Sequence, residues 1–154
     1  MLGYWNNQKE TDKVLKNGWL HTGDIGIFEN QYLKITDRKK DIIITPGGDN
    51  ISPIKIENEI INSELFEQAI VYGDNKPFLV ALLVLNEEKK SLSEDEIKDE
   101  IEKINKKLSK IENIKKYFII NEKFSIENGM LTPTLKLKRY KIIQKYKNNL
   151  EKLY

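Results

Sequence analysis

The apolar positions change their period along the chain, and each change marks an element. The polar run "NNQKETDKVLKNG" (6–18) reads as a short surface helix closed by Gly18. "IGIFEN" and "YLKITD" are strand-like runs that meet at Asn30-Gln31, which predicts a hairpin. "DIIIT" (41–45) predicts a third strand, stopped by Pro46-Gly47-Gly48-Asp49-Asn50, the strongest turn signal in the sequence. Ser52 followed by Pro53 opens a helix. "QAIVYG" (68–73) and "FLVALLVL" (78–85) are continuous apolar runs that predict central strands. Ser93 and Glu96 have the spacing of a capping box. Behind them Ile97, Ile101, Ile104, Leu108 and Ile111 share one helical face. "YFII" (117–120) predicts a last strand, and Leu137, Ile142, Ile143, Tyr146, Leu150 and Leu153 predict a terminal helix.

Strands and helices therefore alternate over the C-terminal two thirds, which predicts an α+β domain, a small sheet flanked by helices, over 38–154. Residues 1–37, a helix and a hairpin with little core of their own, read as the tail of a larger preceding domain.

Composition removes several kinds of function. The formal net charge is only +2, and acidic residues interleave the lysines throughout, so no field draws the chain to nucleic acid. Without cysteine there is no disulfide, thiolate nucleophile or zinc–thiolate site, and a reducing cytoplasm is the setting that fits. His21 is the single histidine, so no multi-histidine metal cluster forms. The longest apolar run, "FLVALLVL", is too short to cross a bilayer.

Four stretches carry candidate chemistry. In "HTGDIG" (21–26), Asp24 puts an acceptor-only carboxylate on a tight turn, a group that can take bonds from two neighbouring hydroxyls. In "TDRKKDIIITPGG" (36–48), Arg38 offers a planar fork of donors for phosphate or ribose oxygens. The Gly47-Gly48 pair permits close approach of a ligand to the backbone. In "GMLTPTLKLKR" (129–139), Lys136 lies between leucines and threonines on a Pro-stiffened loop. Taken singly, each is accounted for by an ordinary turn, a salt-bridged strand edge, a sharp bend or a solvated lysine. The chain holds 26 Lys plus Arg, and only Arg38 and Arg139 are arginines.

Taken in order, "GYW…GWLHTGDIG…ITDRKKDIIITPGGDNISPIKIE…ENGMLTPTLKLKR" resembles the C-terminal part of the AMP-forming adenylating enzymes. This superfamily contains acyl-CoA synthetases, luciferases and peptide-synthetase adenylation domains. The likeness covers essentially the whole chain and is nearest to long-chain fatty acyl-CoA synthetases. It implies a reaction in which a fatty acid and ATP give an acyl-adenylate and pyrophosphate, after which the acyl group passes to CoA and AMP leaves. It further implies that Asp24 binds the ribose hydroxyls and Arg38 helps hold the nucleotide. By the same resemblance Lys40 is the hinge, Gly47 lines the CoA pantetheine tunnel, and Lys136 reaches the acyl carboxylate and α-phosphate during adenylation. Magnesium would come with ATP, without ligands from this chain. The partner implied is an N-terminal adenylation domain, in the same or a separate chain, which would hold the phosphate loop and the acyl pocket. The whole enzyme would be cytoplasmic or peripherally membrane-associated.

One departure is Thr134-Leu135-Lys136, where many members read Ser-Gly-Lys. The long-chain branch commonly has the "LTPTLK" form. Two alternatives stand beside this reading: a stand-alone, non-catalytic binding module, and the lid of an acyl-carrier-protein ligase. On the leading reading the chain is inactive by itself.

Overall fold

A computed structural model describes residues 1–89 and 91–154. The chain divides into two compact units, Met1–Asp41 and Ile42–Tyr154.

In the first unit, α1 (Gln8–Val14) is capped by Asn7, whose side-chain oxygen accepts from Glu10 N–H at 3.1 Å. The helix is shorter than the polar run suggested. Val14 is followed by β1 (Leu15–Lys16), which pairs with β2 (Trp19–Leu20). Gly18 is therefore not a helix cap. Asn17 and Gly18 both have positive φ, +51° and +82°, the conformation of a two-residue hairpin loop that Asn-Gly favours. The expected second hairpin is present as β3 (Asp24–Glu29) and β4 (Tyr32–Arg38), with Asn30 and Gln31 at positive φ between them. The backbone continues past β4 into a turn, where Lys39 N–H bonds the Gly23 carbonyl and Asp41 N–H bonds the Arg38 carbonyl.

The second unit is built on a three-stranded sheet of β7 (Phe66–Tyr72), β8 (Leu79–Leu85) and β9 (Ile114–Ile119), in the order β7-β8-β9. β7 and β8 are antiparallel; β8 and β9 are parallel and joined by a crossover through α3 (Glu94–Lys107). Every residue of β8 is buried, which is why it reads as an unbroken apolar run. Its alternate side chains serve two cores. Leu79, Ala81, Leu83 and Leu85 pack with Ile56 and Ile60 of α2 (Pro53–Ile61) and with Ile97, Ile101 and Ile104 of α3. Val80, Leu82 and Val84 pack with Phe124, Met130, Ile142 of α4 (Arg139–Lys145) and Leu150 of α5 (Lys147–Glu151). The architecture is thus the expected α+β arrangement, a small sheet with helices on both faces.

Both predicted helix starts are present: Ser52 caps α2, and Ser93 with Glu96 forms the capping box of α3. Three details differ. "DIIIT" contributes only β5 (Ile43–Ile44), paired with β6 (Asn50–Ile51). Ile111 is half exposed and does not extend the α3 face, because Leu108 is extended and a second Ser-x-x-Glu pair, Ser109 and Glu112, starts a separate 3₁₀ turn over Lys110–Glu112. The terminal helix begins only at Arg139 and breaks at Tyr146.

Candidate functional site

Asp24 opens β3 and Arg38 closes β4, and the antiparallel register sets them opposite each other. Arg38 Nε lies 2.9 Å from Asp24 Oδ1. The Asp24 backbone N–H bonds Thr22 Oγ1 at 3.1 Å, which fixes the turn ahead of the strand. The Asp24 side chain is a quarter exposed, and a carboxylate that spends one oxygen on an ion pair still has acceptor capacity for a diol. An open depression of about 310 Å³ is lined by Thr22, Gly23, Arg38, Lys39 and Lys40. Arg38 and Lys40 thus share one surface, while Asp24 is tied to it through Arg38. Lys40 is exposed, in the turn that ends the first unit.

In the second unit, the stretch from Thr45 to Asn50 forms a self-bonded turn. Thr45 N–H bonds the Asp49 carbonyl, Gly48 N–H bonds the Thr45 carbonyl, and Thr45 Oγ1 donates to Asp49 Oδ2 at 3.0 Å. The two glycines have different reasons to be there. Gly48 has φ +88°, so the turn itself requires it. Gly47 has no positive φ, and a Cβ there would meet Asp49 Oδ2 at 3.4 Å and Thr45 Oγ1 at 3.6 Å, contacts the fold can absorb. The backbone does not demand a glycine at 47. It borders a cleft of about 440 Å³ that also contains Lys76, Phe78, Lys110 and Lys115. Lys76 is held there by Glu151 at 2.6 Å and lies 4.8 Å from the centroid of the Tyr154 ring.

Lys136 lies on a tight loop rather than at the start of a helix. Leu131 and Leu137 form an antiparallel bridge, Thr132 N–H bonds the Lys136 carbonyl at 2.8 Å, and Lys136 N–H bonds Thr132 Oγ1 at 3.0 Å. Leu135 N–H closes the turn on the Thr132 carbonyl, and Leu135 has φ +60° while its side chain is 70% exposed. The Lys136 backbone is therefore fixed while its side chain is solvent-facing. Lys138 is half-buried, and its N–H bonds the Met130 carbonyl.

One feature at this loop was not singled out from sequence. Glu57 on α2 is buried at 5% exposure and takes both forks of Arg139, Nη1 to Oε1 at 2.7 Å and Nη2 to Oε2 at 2.6 Å. Its Oε1 also accepts from Val71 N–H at 2.7 Å. The signal lay in the pattern. Pro53, Ile56, Glu57 and Ile60 occupy one helical face, so a carboxylate falls on a core position, and Arg139 is one of two arginines in a chain that otherwise uses lysine. No group of acidic residues or histidine among the described residues could hold a metal ion.

Residues 40–154 match the model of the AMP-binding enzyme C-terminal domain. The chain belongs to this family. Members similar to it include a long-chain-fatty-acid–CoA ligase of Mycobacterium tuberculosis, 34% identical over 99% of this chain and 29% of that protein. A chloroplastic long-chain-fatty-acid–acyl-carrier-protein ligase of Arabidopsis thaliana is 30% identical over 100% of this chain and 24% of its own length. Among solved structures, the adenylation domain of a Mycobacterium chelonae carboxylate reductase superposes with a TM-score of 0.89 at 28% identity, covering 99% of this chain and 26% of the other. The AMP-binding C-terminal domain is thus a minor part of each of these longer proteins: this chain spans about 29% of the mycobacterial ligase.

Proposed function

We propose that this chain is the C-terminal lid portion of a long-chain fatty acid–CoA ligase that works only with an N-terminal adenylation domain, joined or separate. The observation that carries the reading is the Lys136 loop, a bonded hairpin that fixes the backbone of a lysine and leaves its side chain free to reach outward.

In adenylation, a carboxylate oxygen of the fatty acid bonds to the α-phosphorus of ATP while the α–β bridging P–O bond breaks and pyrophosphate leaves. Negative charge gathers on the phosphoryl oxygens, and the Lys136 ammonium stabilises it in a water-excluded site. Asp24 accepts from the ribose hydroxyls, and Arg38 both orients Asp24 and contributes its cation to the nucleotide. In the second half-reaction the CoA thiol sulfur bonds to the acyl carbon, the acyl C–O bond to phosphate breaks, and AMP leaves with the thiol proton passed to solvent. Gly47 then lets the pantetheine arm pass, the lysines of the neighbouring cleft favour the phosphates at the nucleotide end of CoA, and Lys40 is the hinge between the two poses. Magnesium would arrive with ATP. The proposed setting is the cytoplasm, where ATP and CoA are supplied. Large apolar side chains of the first unit are exposed, among them Trp5, Trp19, Phe28 and Ile35, and these give the N-terminal domain a surface to cover.

The test joins this chain to an N-terminal adenylation domain and follows fatty-acid-dependent ATP–pyrophosphate exchange. Lys136→Ala should slow it by about 10²–10³-fold, the usual cost of removing such a contact. It should spare thioester formation from supplied acyl-adenylate. Lys98→Ala, on the exposed face of α3, should change neither rate. Equal, small effects at both positions would overturn the assignment. A second reading, transfer to an acyl carrier protein, draws on the likeness to the chloroplastic ligase. Offering CoA and phosphopantetheinylated carrier protein in parallel separates the two.

A further inference from the structure

We propose that the buried Glu57–Arg139 pair is the device that positions the Lys136 loop, making both residues positioning residues for adenylation, a role that rests on the reading of Lys136 given above.

The Lys136 loop has two roots. One is apolar: Met130 and Leu131 are buried in the core under β8. The other is Arg139, three residues after Lys136 and the first residue of α4. Its guanidinium is gripped by both Glu57 oxygens, and Nη1 also reaches the Val71 carbonyl at 3.3 Å. A bidentate Arg–carboxylate pair fixes orientation as well as distance, which a lysine point charge cannot do. From this anchor, bonded backbone runs straight back to the loop: Lys138 to Met130, Leu137 to Leu131, Lys136 to Thr132.

The other half of the pair has a second consequence. Glu57 belongs to α2, which follows directly on the Gly47 turn and β6. The element after the Gly47 turn and the element after the Lys136 loop are therefore clamped to each other across Val71 of β7. A buried ion pair is poor evidence of added stability, since apolar replacements of similar size often hold a fold as well. A buried fork at this place is instead suited to specifying where two loops stand.

The double variant Glu57→Gln/Arg139→Met tests this with little disturbance to the core. The glutamine amide at position 57 keeps an acceptor for Val71 N–H and gains a donor for the Val71 carbonyl, and the methionine side chain at position 139 refills the guanidinium space. Two measurements follow. On the chain itself, hydrogen exchange at the Thr132 and Lys136 amides should rise at least tenfold, while the Leu82 and Leu83 amides of β8 stay protected. In the chain joined to an adenylation domain, kcat for pyrophosphate exchange should fall at least tenfold with the ATP KM unchanged, and thioester formation from supplied acyl-adenylate should be preserved. Arg139→Lys, which keeps the charge and loses the fork, should fall between wild type and the double variant. Unchanged exchange at Thr132 and Lys136 overturns the positioning role, as does parallel loosening of loop and β8, which would make the pair a general support of the fold. A loosened loop with undiminished adenylation likewise overturns the positioning role in adenylation and leaves the assignment of Lys136 to the Lys136→Ala comparison.

Discussion

Leu135 occupies a backbone conformation that suits glycine, with φ +60°, and exposes most of its side chain. A non-glycine residue held there costs roughly 1–2 kcal/mol. Glycine removes that strain but adds about 0.5–1 kcal/mol of backbone entropy to the unfolded chain. Leu135→Gly should therefore raise stability by on the order of 0.5–1 kcal/mol, read as a higher urea midpoint with an unchanged slope. A lower midpoint would mean that the exposed Leu135 side chain has a packing role within the chain. Lys138 cannot serve as a solvated comparison for Lys136, although the two look alike in sequence. It is half-buried and sits at the N-cap of α4, and Lys98 is the better control.

At the scale of elements, the Gly47 turn and the α2–3₁₀ contact each yield a test. Because the backbone at 47 does not need glycine, Gly47→Leu should leave the melting temperature within a few degrees of wild type. In the completed enzyme the same change should block thioester formation far more than adenylation. Lys40→Pro, which locks φ in the turn ending the first unit, should show the same split. Equal loss of both half-reactions would dissociate these residues from a change of pose. Glu112 presents a pH test. Burial pushes its carboxyl up, but the bond from Lys55 Nζ at 2.7 Å and those from Ser109 outweigh it, and the group is held below the usual carboxylate range. A lowered folded value means that the stabilisation is complete above the unfolded value of about 4.3 and drains away as pH falls through the folded one. Glu112→Gln should thus be less stable than wild type at neutral pH, and the gap should close on acidification. A gap that persists at low pH would assign the effect to lost packing.

For the molecule as a whole, the expectation is that the purified chain forms no acyl-CoA by itself. The chain spans about a quarter of the length of the proteins it matches, 29% of the mycobacterial ligase and 26% of the reductase adenylation domain. Fatty-acid- and ATP-dependent acyl-CoA formation by contaminant-free chain would refute this. None of the described helices is long and apolar enough to cross a membrane.

The sequence by itself settled what depends on local periodicity and local chemistry. The β8 run, the α3 face from Ile97 to Ile104 and the caps at Ser52 and Ser93 could be read because each signal lies within a few residues. The candidate residues were nominated by motifs that keep their order along the chain, and their roles stay proposals. Errors came where two local signals competed: Gly18 served a hairpin rather than a helix end, and the Ser109–Glu112 pair cut off Ile111. Only the tertiary structure decided the rest. Asp24 and Arg38 meet through strand register, 14 residues apart in sequence yet 2.9 Å apart in space. Glu57 and Arg139 meet across 82 positions, beside β7. A buried carboxylate announces that it needs a partner, but which cation answers is set by how helices pack on a sheet, and no periodicity along the chain contains that choice.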